Sequence, residues 1–144
     1  MSQWTHVCGC VRVDYLPFID GNEKGKDFKY KLKEIFGKTC NWKDSRDIWN
    51  NCNVPCGSEG SIQYDIEHTA CDNSVSWGVV YIWGDLRDYE NANAIYEWIK
   101  KATETLIIRS CSVKIDVEYQ HSYLVYDHFD DKKIETFIEM KELY

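Results

Sequence analysis

Trp4-Thr5-His6-Val7-Cys8-Gly9-Cys10-Val11-Arg12-Val13 is the stretch that decides the fold. Val7, Gly9, Val11 and Val13 fall on one side of an extended chain, and His6, Cys8, Cys10 and Arg12 fall on the other. Alternation of this kind predicts a strand over about 4–16, with one apolar face turned to a core and one mixed face turned away. A polar turn follows over 20–26. Phe28, Leu32, Ile35 and Phe36 then recur at helical spacing, which predicts a helix over 27–36 stopped by Gly37. Residues 38–61 read as a long connection with a short helical turn over 43–50.

A hairpin comes next. Ile62, Tyr64 and Ile66 alternate with Gln63, Asp65 and Glu67, and the turn is expected near Asp72-Asn73-Ser74. The return strand, Trp77 to Trp83, is apolar on both faces, which marks a central strand. Gly84-Asp85-Leu86-Arg87-Asp88 is read as leaving that strand. A second helix is predicted over about 91–106, capped by Asn91 or Asn93, with Ile95, Trp98, Ile99, Ala102 and Leu106 in one stripe. Val113, Ile115, Val117 and Tyr119 make a further strand, and Tyr123 to Tyr126 is expected to pair back on it. Ile134, Phe137 and Ile138 suggest a terminal helix over 131–143.

The order β-α-β-β-α-β predicts an α+β fold. It fits a ferredoxin-like sandwich, an antiparallel sheet in the order 4-1-3-2 with two helices on one face, plus a C-terminal extension. The 144 residues are read as one domain, with a core over about 4–119 and the extension over 120–144. With 44% hydrophobic residues the chain has enough apolar surface for a core without metal or disulfide. No apolar run is long enough to span a bilayer, and Met1 to His6 has no signal-peptide character, so a cytoplasmic protein off the membrane is expected.

The net charge of −7 disfavours duplex nucleic acid and suits either a merely soluble surface or a carboxylate face that fits a basic groove. The seven cysteines are an odd number, read as reduced thiols. Neither Cys8-x-Cys10 nor Cys52-x3-Cys56 has zinc-knuckle spacing; a structural zinc site built from Cys52, Cys56 and a distant Cys or His stays open, and no metal ligand is assigned.

In the expected topology the first two strands begin, and the third and fourth end, at one edge of the sheet. That rim gathers Trp4, His6, the 55–61 loop, Gly84 to Asp88 and Gln120-His121-Ser122. Gly57 and Gly60 flank Ser58 and Glu59, so the backbone there can approach a neighbour closely. Arg87 offers a planar fork to a phosphate or carboxylate, or pairs locally with the acids beside it. His6 and His121 are two imidazoles that the rim brings near each other. The residues assigned to ligand binding are His6, Arg12, Trp49, Ser58, Glu59, Asp85, Arg87, Asp88 and His121. No nucleophile elbow or helical His-x-x-x-His is present, so no catalytic residue and no cofactor are assigned.

Three stretches, Trp4-Thr5-His6-Val7 with Val11-Arg12-Val13-Asp14, Asn53-Val54-Pro55-Cys56-Gly57-Ser58-Glu59-Gly60-Ser61, and Gly84-Asp85-Leu86-Arg87-Asp88, together resemble a family of small uncharacterised proteins of tailed bacteriophages and prophages. The resemblance covers the chain up to about residue 120. It implies an accessory phage protein in the host cytoplasm that counters host defence. The leading expectation is a non-catalytic, oligomeric protein that sequesters a nucleotide-derived signal. The alternatives are an acidic inhibitor of a host defence protein, a metal-dependent phosphodiesterase, and a virion or replication component without a ligand.

Overall fold

The alternation of the first strand is realised in full. The computed structural model describes residues 2–15, 26–39, 53–69, 76–127 and 138–144. Along β1 (Trp4–Tyr15), Thr5, Val7, Val11 and Val13 are buried, while Cys8 and Arg12 are exposed. The other elements are α1 (Lys26–Phe36), β2 (Gln63–Thr69), β3 (Ser76–Arg87), α2 (Ala92–Thr103), β4 (Ile107–Val117), β5 (Ser122–Asp127) and β6 (Ile138–Glu142). They form an α+β protein with one six-stranded antiparallel sheet in the order β2-β3-β1-β4-β5-β6.

The sheet is thus not the four-stranded ferredoxin arrangement that the element order suggests. Taken from β4, the first four strands do lie 4-1-3-2, but β5 and β6 continue the sheet beyond β4. Residues 138–142, expected in a helix, are instead the edge strand. Ile-Glu-Met-Lys-Glu alternates with period two as well, and the free edge of β5 offers backbone partners that a helix would leave unpaired. Ile138 packs on the core, and its carbonyl accepts the Tyr96 hydroxyl at 2.7 Å.

Two other boundaries move for local reasons. β3 does not end at Gly84 but runs to Arg87, because β1 pairs with it over its whole length, Trp4 opposite Arg87. β4 starts earlier than alternation allows, at Ile107. A register shift opposite Arg12 and Val13 inserts Arg109 as an extra residue, so that Ile108 and Cys111 both reach the core. The turns expected over 20–26 and 72–74 and the helical turn over 43–50 fall wholly or largely outside the described residues.

Both helices contribute to the covered side. Leu32 and Phe36 of α1 and Ile95, Ile99 and Ala102 of α2 are buried against Val7, Val11, Val80, Ile82, Val113 and Ile115 of the sheet. Phe36 joins the layers, its ring 5.7 Å from both Tyr64 and Trp98. Gly37, with φ +93°, ends α1 as expected, and the Tyr64 hydroxyl donates to its carbonyl at 2.5 Å. Asn91 caps α2 by accepting from the Ala94 amide at 3.1 Å.

Among the described residues the sheet therefore has one covered face and one, the open face, on which no element packs. The open face carries His6, Cys8, Cys10 and Arg12 of β1, Tyr81 and Trp83 of β3, and Ser110, Ser112 and Lys114 of β4. Truncation on the two sides should have unequal costs. Ile99→Ala should lower unfolding stability by about 2–5 kcal/mol in urea titrations, whereas Ser110→Ala should stay within about 0.5 kcal/mol.

Candidate functional site

The rim expected from the sequence exists, and its geometry comes from how β1 is sealed at its start. The Asp88 amide donates to the Gln3 carbonyl at 2.6 Å on one side, and the Glu118 amide donates to the Trp4 carbonyl at 3.0 Å on the other. The Thr5 hydroxyl donates to the Tyr89 carbonyl. Just past the ends of β3 and β4 stand Asp88 (φ 54°) and Tyr119 (φ 63°), two non-glycine residues in the left-handed region.

At the centre of the rim His6 lies between two carboxylates. Its Nδ1–H donates to Asp85 Oδ1 at 2.5 Å and its Nε2–H to Glu118 Oε1 at 2.8 Å. The bond to Asp85, then that to Glu118, holds the imidazole pKa above its ordinary value, against a smaller opposing effect of burial. The imidazole ties β1 to the ends of both neighbouring strands.

Beside it, the 57–61 loop folds onto the end of β3. The Ser58 amide donates to the Arg87 carbonyl and the Arg87 amide to the Glu59 carbonyl, both at 2.8 Å. Gly57 and Gly60 do permit a close approach, but what approaches is the chain itself. A Cβ at Gly57 would collide with the Arg87 backbone, and one at Gly60, whose φ is +75°, with the Asp85 carbonyl. Two of the loop amides are already used, that of Ser58 by the Arg87 carbonyl and that of Gly57 by the Gly60 carbonyl at 2.9 Å.

Arg87 is paired locally. Its Nη1 donates to Glu59 Oε1 at 2.5 Å and its Nε to Ser2 Oγ at 2.9 Å, with Asp88 at 3.8 Å. The Ser58 hydroxyl donates to Asp88 Oδ2 at 2.8 Å. His121 pairs with Glu142 at 2.5 Å, across β5 and β6. It does not join His6, because β4 lies between their strands and sets them two strand widths, about 10 Å, apart.

The sequence-assigned residues thus divide. His6, Ser58, Glu59, Asp85, Arg87, Asp88 and His121 do gather at one end of the sheet, but the first six engage one another and His121 engages Glu142. Glu59, Asp85, Asp88, Glu118 and Glu142 give this rim an acidic field, which suits a basic partner better than a phosphate. Among the described residues no group of three or more His, Cys, Asp or Glu is arranged to hold a metal ion. Trp49 lies outside the described residues.

Arg12 belongs elsewhere, on the open face. Its guanidinium has no hydrogen bond or ion pair among the described residues, and neither has the ammonium of Lys114, level with Cys8 on β4. On the other side of β1, Trp83 pairs with Cys8 and Tyr81 with Cys10. Their side chains are 45% and 44% exposed. The sequence reading passes over Tyr81, Trp83 and Lys114. The signal is there: a central strand apolar on both sides lies next to a strand whose second face is His-Cys-Cys-Arg, so its aromatics share an uncovered surface.

Comparison of the chain with protein-family models, curated proteins and solved structures finds no match. Among the described residues no helix is long and apolar enough to cross a membrane.

The pairing at His6 has a pH signature. A raised folded-state pKa stabilises below the unfolded value of about 6.5 and loses that contribution as pH rises through the folded pKa. Chemical denaturation of wild type against His6→Gln should show the wild-type advantage at pH 6 shrinking by pH 9. Gly60→Ala should lose stability at every pH, since its clash is steric.

Proposed function

We propose that the protein binds a planar, anionic ligand of nucleotide type on the open face of its sheet, and that it does so without catalysis. The observation that supports this reading is the pairing of two half-exposed rings, Tyr81 and Trp83, with two cations that have no partner among the described residues, Arg12 and Lys114. Aromatic rings left half exposed on an interior strand forgo burial worth about 1 kcal/mol each. A base stacked on such a ring recovers about 1–3 kcal/mol. The cations supply the charge complement for phosphate, and the cysteines and Ser112 between them leave room for a flat ligand.

The placement is on interior strands, since β3 and β1 are each paired along both edges in the six-stranded sheet. Given the resemblance to small phage proteins, such binding would sequester a nucleotide-derived defence signal in the host. Trp83 doubles as a reporter. Titration with cyclic dinucleotides and cyclic ADP-ribose, monitored by calorimetry and tryptophan fluorescence, should give quenching and saturable heat. Trp83→Ala and Lys114→Ala should each weaken affinity about tenfold. Absence of binding at tens of micromolar protein would remove the reading.

The acidic rim favours a second reading, a contact with the basic surface of a host protein. Exposed charge pairs are screened by salt. Capture of such a partner should therefore fall steeply between 50 and 300 mM salt and fall again in Glu59→Gln/Asp88→Asn.

A further inference from the structure

The open face offers a ligand more than two rings, and any selectivity it has rests on the proposed stacking platform of Tyr81 and Trp83. These two residues lie two positions apart on one face of β3, about 7 Å along the strand. That separation lets each ring carry its own base while the bases remain linked through one sugar–phosphate unit. Each ring also has its own cation. Arg12 is one strand across from Tyr81 and two residues along, level with Val79, and Lys114 is two strands across from Trp83. Strand spacings put both cations within about 10 Å of their ring positions. A nucleotide stacked on either ring can lay its phosphate across β1 toward a positive charge.

The surroundings of this platform are acidic. Asp65 lies beside Tyr81 and Glu67 beside Val79 on the edge strand β2. Asp85, Asp116 and Glu118 close the rim end, where Asp116 accepts the Ser122 hydroxyl at 2.6 Å. On the far side Glu139 accepts the Tyr126 hydroxyl at 2.7 Å, while Lys141, level with Lys114 across Leu124, is a basic exception. A strand of nucleic acid that ran off the platform in these directions would set its phosphates over carboxylates, in a protein of net charge −7. We infer that the platform accepts a dinucleotide, two bases with one or two phosphates, and rejects longer single strands of nucleic acid.

The test uses the full chain and three probes, AMP, the dinucleotide ApA and a deoxyadenylate dodecamer, in calorimetry with tryptophan quenching. The dinucleotide should bind about tenfold or more tighter than AMP, because it adds a second stack. ApA carries a single phosphate, so the logarithm of its affinity should fall against log salt with a slope no steeper than roughly −0.7. The dodecamer should bind no tighter than the dinucleotide, although it offers many overlapping sites. Asp65→Lys/Glu67→Lys, checked for folding by circular dichroism and backed by Asp65→Asn/Glu67→Gln, should raise dodecamer affinity more than dinucleotide affinity. Equal affinities for AMP and dinucleotide, or a wild-type dodecamer affinity tenfold above the dinucleotide's, would overturn the inference and leave the platform reading standing. Failure of all three probes to bind or quench would overturn both.

Discussion

The structure depends on β1 being paired along both edges. It is the strand that joins the β2-β3 hairpin to the β4-β5-β6 half, and without it the two parts share no ladder. The pairing is tight enough to require Gly9, because a Cβ there would meet the Ser112 and Val113 backbone of β4. Once β1 is central and Val7, Val11 and Val13 face the helices, period-two geometry leaves His6, Cys8, Cys10 and Arg12 no alternative to the opposite face. The composition of the open face is thus fixed by the same register that builds the core.

The rim arises from the same constraint. A central strand that begins between two strands that end must satisfy donors and acceptors on both sides at once. Gln3, Trp4 and Thr5 do so with the backbone of Asp88, Tyr89 and Glu118. The left-handed φ angles of Asp88 and Tyr119 cost on the order of 1 kcal/mol each. The backbone bond at Asp88 and the Ser58 contact to its carboxylate offset that strain locally. The acidic side chains here have structural partners: Glu118 holds His6 and the Trp4 amide, and Glu59 holds Arg87.

Much of the fold is legible in the sequence because burial and periodicity coincide in β1, α2 and the β2-β3 hairpin. Legibility fails where two periods fit one segment. Residues 131–143 carry apolar positions that suit a helix, yet Ile138 and Met140 also alternate with Glu139 and Lys141, and only the vacant edge of β5 decides between them. The bulge at Arg109 hides the first half of β4 for a related reason, since one inserted residue breaks alternation while preserving burial. At the rim, the sequence locates the right residues but not their state. Glycines that allow close approach, and an arginine beside acids, look the same whether they await a ligand or fold onto their own chain.

That ambiguity does not extend to Tyr81 and Trp83. The core does not need them, since Val80, Ile82 and Leu86 of the same strand supply its side of the packing. Nor does the sheet, for their cross-strand neighbours are Cys8, Cys10, Gln63 and Asp65, and pairs of that kind contribute at most about 1 kcal/mol to a ladder. A surface selected for solubility alone would carry Thr or Lys at both positions. Two rings held at a fixed spacing on a strand paired along both edges lose little conformational entropy when a flat ligand covers them. Their placement is therefore the observation on which the proposed stacking platform rests.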